Sequence, residues 1–246
     1  MKERMKQLVR KAARTELGRR IAGAIFEPPV GTVAWGDLRR TIPLNRHFGH
    51  GRGEFIDRSY IESFLADNAH LVRGTVLEVA DDTYTRRYGS NRVDRCDVLH
   101  AEEGNPGATV VADLQAAPSI APCQYDCIVL TQTLQMIPDM NAAVATTYRI
   151  LKPGGSVLAT ISGISQASRS DNERWGDKWR CTSRGAKALF ATCFDERDIE
   201  VSGYGNVLTA TAFLHGLSVN DLSPEEMAYH DPEYEVLVAV RATRSL

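Results

Sequence analysis

Residues 125–161 read YDCIVLTQTLQMIPDMNAAVATTYRILKPGGSVLATI. The stretch opens with an apolar run, 125–130, preceded by Pro122 and followed by the polar Thr131, Gln132 and Thr133. A short apolar run with such borders predicts a parallel strand buried on both faces, ending in a polar loop. Beyond Pro138 and Asp139, residues Ala142, Ala143, Thr146, Ile150 and Leu151 recur on or near one helical face. The segment LKPGG, 151–155, then ends that helix. Pro153 cannot continue it, and Gly154 or Gly155 can take positive φ. Residues 156–161 alternate and run apolar, which predicts the next strand.

Working outward, apolar segments predict a first strand at 76–80, a second at 92–98 and a third at 109–112. The run at 125–130 is then the fourth and 156–161 the fifth, with two more at 199–203 and 235–242. Helices are expected at 56–69, where Ile61, Phe64 and Leu65 share a face, and at 183–193 and 207–217. Alternating strands and helices imply an α/β fold, a doubly wound and mostly parallel seven-stranded sheet with ligands at the strand carboxyl ends. The boundary is expected after residue 55. Residues 1–55 form a helical and glycine-rich extension, and 56–246 the sheet domain.

The chain has 246 residues, 43% of them hydrophobic and 24% charged, with a net charge of −2. That suits one domain with a decorated terminus. The charge is uneven. Residues 1–20 carry eight basic side chains against Glu3 and Glu16, a balance of +6, which leaves −8 elsewhere. Residues 3–25 read as a basic amphipathic helix. It either packs on the domain or makes peripheral contact with an anionic membrane surface. No aromatic-interleaved basic patch follows it, so no nucleic-acid partner is expected. No apolar run reaches transmembrane length. Cys96, Cys123, Cys127, Cys181 and Cys193 are odd in number. They lack zinc-site spacing, so free thiols in a reducing cytoplasm and no metal are expected.

The order strand, loop, helix, LKPGG, strand resembles the fourth and fifth strands of class I S-adenosylmethionine-dependent methyltransferases of the type 11-like kind, whose fold is Rossmann-like. The likeness spans roughly 42–242. It rests on FGHGRGEFIDRSYIESFL at 48–65, LEVADDTYTRRYG at 77–89, DVLH at 97–100 and LTQTLQMIPD at 130–139. ILKPGG at 150–155, RWGDKWRCTS at 174–183 and YGNVLTATAFLHGL at 204–217 add to it. Within the family the chain is similar to a bacterial subgroup associated with glycan or sugar modification, whose members carry DDTYT-like turns. The resemblance implies S-adenosylmethionine as cofactor and the following site. Glu78 matches the acidic residue of the family's first strand. The family's Gly-x-Gly-x-Gly turn is replaced by Ala80, Asp81, Asp82, Thr83 and Tyr84, a departure that puts close backbone approach in doubt. Asp97, beside Val98, takes the ribose hydroxyls. Asp113 and Leu114 bracket the adenine, and Thr131, Gln132 and Thr133 line the cofactor.

An oxygen acceptor needs a base, and histidine is the default near neutral pH. His47, His50 and His215 are the candidates, with Asp171 as a carboxylate alternative. The polar segment 165–182 carries Trp175 and Trp179 beside Asp177 and Arg180, a composition suited to a small-molecule or glycan acceptor rich in hydroxyls. Arg52, Tyr204 and Asn206 complete the expected acceptor pocket. The leading reading is methyl transfer to an oxygen of a sugar-containing or natural-product acceptor. Against it stand a non-catalytic module with a degenerate cofactor site, and the same fold with another reaction or ligand.

Overall fold

The computed structural model describes residues 28–246. The expected helix at 3–25 lies outside them. The compact sheet unit spans Ile42–Leu246 and so includes residues 42–55. Residues 42–55 join the sheet unit through backbone bonds: the Asn45 amide donates to the His215 carbonyl at 3.1 Å, and the Val219 amide to Glu54 at 3.0 Å.

Seven strands form one sheet: β1 Gly74–Val79, β2 Val93–His100, β3 Val110–Val111, β4 Tyr125–Thr131, β5 Leu151–Ser162, β6 Ile199–Tyr204 and β7 Leu237–Thr243. Their order is β3-β2-β1-β4-β5-β7-β6. β1 pairs in parallel with both β2 and β4, whereas β7 runs antiparallel between β5 and β6. Six helices complete the unit: α1 Ile56–Asp67, α2 Met140–Ile150, α3 Arg169–Arg174, α4 Ser183–Phe190, α5 Val207–Leu214 and α6 Pro224–Ala228. Among the described residues no helix is long and apolar enough to cross a membrane.

Strand periodicity builds two cores. Leu77, Ile128, Val157 and Val238 face one side with Val144, Ile150 and Phe190 of α2 and α4. Val76, Val129, Leu158 and Ala239 face the other with Ile56, Phe64 and Phe213 of α1 and α5. Because successive side chains alternate, neighbouring residues on each central strand serve opposite cores. That is why the strands read as unbroken apolar runs.

The helix expected after Asp139 forms, and the Asp139 side chain caps it by accepting from the Ala142 amide at 3.0 Å. It ends at Ile150. Leu151 already pairs with Tyr125, and LKPGG is an irregularity inside β5 rather than a turn before it. β2 also runs two residues past the expected end at Val98. The chain leaves β1 toward β2 on one side and returns to β4 on the other. The carboxyl ends of these strands therefore diverge and open a crevice.

Candidate functional site

A cleft of about 800 Å³ fills that crevice. Its floor is the turn after β1. Glu78 is 2% exposed, and its carboxylate accepts from the Tyr84 amide at 3.0 Å and the Thr85 amide at 2.7 Å. The acid thus caps the start of the helical segment that continues as a π-turn at Thr85–Gly89. Burial pushes the Glu78 carboxyl up to about 7, against the pull of those amides.

None of the substituted glycine positions closes the cleft. Ala80 takes φ +77°, a backbone angle that favours glycine, and adds only a methyl group. Asp82 turns away to Arg86 at 2.6 Å and does not line the cleft. Tyr84 lines it but is buried, its hydroxyl held by Arg58 at 3.0 Å and its ring stacked on Tyr88. Asp81 and Thr83 line the cleft beside it.

Leu99, His100, Ala101 and Glu102 form the wall at the end of β2. Asp113, Leu114 and Gln115 follow β3, with the Asp113 carboxylate accepting the Gln115 amide and side chain at 2.9 Å each. Thr131, Gln132 and Thr133 stand after β4 and all face the cleft. Gln132 has φ +49°. Its Oε1 accepts from Gln135 Nε2 at 2.5 Å and from Ser162 Oγ at 2.7 Å.

Segment 165–180 closes one side. Asp177 binds Arg180 through both oxygens, at 2.6 and 2.7 Å, and accepts the Ser168 amide at 2.9 Å. Burial works against that carboxylate, but Arg180 and the amide outweigh it and hold Asp177 below the usual range. Trp175 reaches back to His100, edge to face at 5.5 Å between centroids. Asp171, Trp175 and Arg180 therefore line the cleft as expected, with Trp175 toward the β2 end. The start of α1 closes the other side. There Asp57 lines the cleft with Oδ1 out of solvent and without a hydrogen-bond partner among the described residues. Burial pushes the Asp57 carboxyl up, despite Arg58 and the first-turn amides.

Several expected residues lie elsewhere. Asp97 sits inside β2, 2% exposed, and takes bonds from Arg95 at 3.0 Å and Tyr125 at 3.1 Å. Its carboxylate is consumed by the sheet, and Val98 beside it is core. Neither lines the cleft; the carboxylate at the true end of β2 is Glu102. His47 and His50 are exposed and His215 caps α5; none of the three lines the cleft. Arg52 pairs with Asp221 at 2.7 Å, away from the cleft. Trp179 donates its indole N–H to the Ile137 carbonyl at 3.0 Å, a structural clasp. Tyr204 packs between Tyr60 and His230. Asn206 caps α5 and bonds the Glu226 and Tyr229 carbonyls at 2.7 and 2.8 Å. Asp57, Glu102, Gln135 and Ser162 line the cleft without having been expected there. Leu99, extending the alternation of DVLH, was the one signal that β2 runs on toward Glu102.

Residues 40–201 match the family model described as a methyltransferase domain. No curated protein matches the sequence. Solved structures share the fold at low identity. A SAM-dependent methyltransferase from Thermotoga maritima aligns with TM-score 0.51 and 15% identity, covering 77% of this chain and 92% of its own. One from Archaeoglobus fulgidus aligns with TM-score 0.52 and 10% identity, covering 76% and 94%. Phosphoethanolamine N-methyltransferase 2 of Haemonchus contortus, in complex with S-adenosyl-L-methionine, aligns with TM-score 0.50 and 13% identity, covering 75% and 53%.

Proposed function

The chain belongs to the methyltransferase-domain family, and from that premise we propose that it transfers a methyl group from S-adenosylmethionine to an oxygen of a hydroxylated acceptor, sugar-containing or of natural-product type. The observation that carries this reading is the open cleft at the switch point, kept clear although its turn has no glycine. The residues present fit the cofactor. Backbone at 80–84 can approach it closely, and Glu102 offers a carboxylate able to accept two hydroxyl hydrogen bonds. Asp113 and Leu114 flank the next position, and the loop 131–133 lies beside it. Bound S-adenosylmethionine supplies an electrophilic methyl on a positively charged sulfur.

The chain's own work is alignment and proton removal. Asp57 is the base we propose in place of histidine. It lines the cleft with one oxygen unpartnered among the described residues, and its burial favours accepting a proton. Asp171 is the second carboxylate within reach of the same cleft. A reducing compartment, the cytoplasm, belongs to the proposal and is supported by five unpaired cysteines.

Calorimetry with S-adenosylmethionine and S-adenosylhomocysteine tests the reading. Saturable heat at micromolar concentration is the expected result. No binding of either compound favours a non-catalytic module instead. Labelled S-adenosylmethionine screened against glycosides and hydroxylated metabolites then identifies the acceptor.

A further inference from the structure

We propose that Gln132, Gln135 and Ser162 form the acceptor-reading end of the cleft and select an uncharged acceptor with adjacent hydroxyls, a vicinal diol. The inference rests on the methyltransferase reading and names its substrate class. Gln132 follows β4 and Ser162 ends β5, so the cluster stands at the strand ends beside the switch point. Gln135 is 3% exposed. The two amides share one hydrogen bond, and Ser162 donates to the same oxygen. That leaves Gln132 Nε2 and Gln135 Oε1 buried without partners among the described residues, though both residues line the cleft. Buried polar atoms are ordinarily paired, so two orphans on residues of one cleft wall mark a place where a ligand completes the pairing once the side-chain amides turn toward it.

The conclusion does not depend on how the amides are oriented. Exchanging oxygen and nitrogen in both still leaves one donor and one acceptor. The backbone of the cluster is held in place. The Gln135 main-chain carbonyl accepts the Lys178 and Trp179 amides at 2.9 and 3.1 Å, and the Gln132 main-chain amide donates to the Thr160 carbonyl at 2.9 Å. A donor beside an acceptor on that fixed backbone matches two neighbouring hydroxyls, each able to give and take a hydrogen bond.

Charge narrows the class. Neighbouring cleft residues Thr133, Ser165, Gln166 and Ser168 are neutral. Arg180 is engaged by Asp177 and by the Gln166 and Trp179 carbonyls. The other guanidinium groups of the cleft lie on partners of their own, Arg58 on the Tyr84 hydroxyl and Arg174 over the Trp175 ring, so a phosphate or carboxylate seated on the two amides would compete with those partners for a cation and would be desolvated at a loss.

The test uses the full chain saturated with S-adenosylhomocysteine. Saturation-transfer NMR titrations compare cis-1,2-cyclohexanediol and methyl α-glucopyranoside with glucose 1-phosphate. The neutral diols are expected to bind at least tenfold more tightly than the phosphate. Gln135→Met should weaken diol binding about tenfold, and Ser162→Ala by a smaller factor, with S-adenosylhomocysteine affinity unchanged within twofold. If Gln135→Met fails to fold, Ser162→Ala carries the comparison alone. Tighter binding of the phosphate, no diol binding to the loaded protein, or unchanged diol affinity in the folded variants overturns the proposal and leaves the methyltransferase reading standing. Failure of S-adenosylhomocysteine itself to bind is read separately by calorimetry and strikes the parent reading.

Discussion

Ala80 holds a backbone angle that costs an L-residue roughly 1–2 kcal/mol, part of which glycine would give back in chain entropy. Ala80→Gly is therefore expected to raise stability by about 0.5–1 kcal/mol in urea denaturation, without weakening S-adenosylhomocysteine binding. Glu78 sets a pH dependence. Its folded value, about 7, lies above that of an exposed glutamate. The folded state therefore holds a proton that the unfolded state has lost between about pH 4.5 and 7. This contribution is fully present below pH 4.5 and disappears as pH rises through 7. Between those limits the native protein should lose about 3 kcal/mol that Glu78→Gln does not lose, a difference readable in paired denaturation curves. For Asp97→Ala the expected loss is in stability, because the buried Tyr125 hydroxyl is left without an acceptor for its proton. A cost of about 2 kcal/mol, or roughly 4–8 °C in Tm, should accompany an unchanged cofactor affinity. At this scale the sequence was least legible. Whether Asp97 ends its strand or sits inside it turns on two residues, and that shift separates a ligand group from a sheet bond.

Elements were easier to read. The central strands β1, β4, β5 and β7 were visible as mainly apolar runs because both faces are covered, whereas β2, β3 and β6 show only shorter apolar stretches. The helices after Phe55, Asp139, Thr182 and Asn206 showed apolar repeats. LKPGG does end the helix, at Ile150, but it misled about where the next strand starts: β5 begins at Leu151, already in register with Tyr125, and not at 156. The histidines misled for a different reason. Residues 42–55 and the end of α5 do pack together, and Phe48 and Phe55 of that segment reach the cleft, but the three imidazoles do not line it, and sequence carries no sign of which side chains of the segment turn inward. Segment 165–180 is anchored by the bidentate pair of Asp177 and Arg180. Asp177→Asn is expected to speed amide exchange across 166–178 about tenfold or more while Tm moves by about 2 °C or less, as for a locally anchored segment. Equal protection in both proteins would show that the Trp179 and Lys178 bonds hold the segment unaided.

At the scale of the molecule, the sheet unit is complete from Ile42 onward. A chain starting at Ile42 should keep a cooperative thermal transition and full S-adenosylhomocysteine affinity; loss of either places residues 1–41 in the folding unit. The same chain also tests the basic amino-terminal segment, since any salt-sensitive binding to anionic vesicles should vanish with it. The strand order has one more consequence. β7 comes last in the sequence yet lies between β5 and β6, pairing Ser162 with Leu237 and Tyr204 with the same residue. During synthesis at ~5–20 residues per second, β5 is finished roughly 4–16 s before its neighbour has been made. For that interval two open strand edges wait in the nascent chain, and such edges recruit other chains. Loss of the last ten residues should therefore be far more damaging than its distance from the cleft suggests. A messenger truncated before Leu237 is expected to yield pelleted aggregate, and slower growth at low temperature should improve the soluble yield of the intact chain.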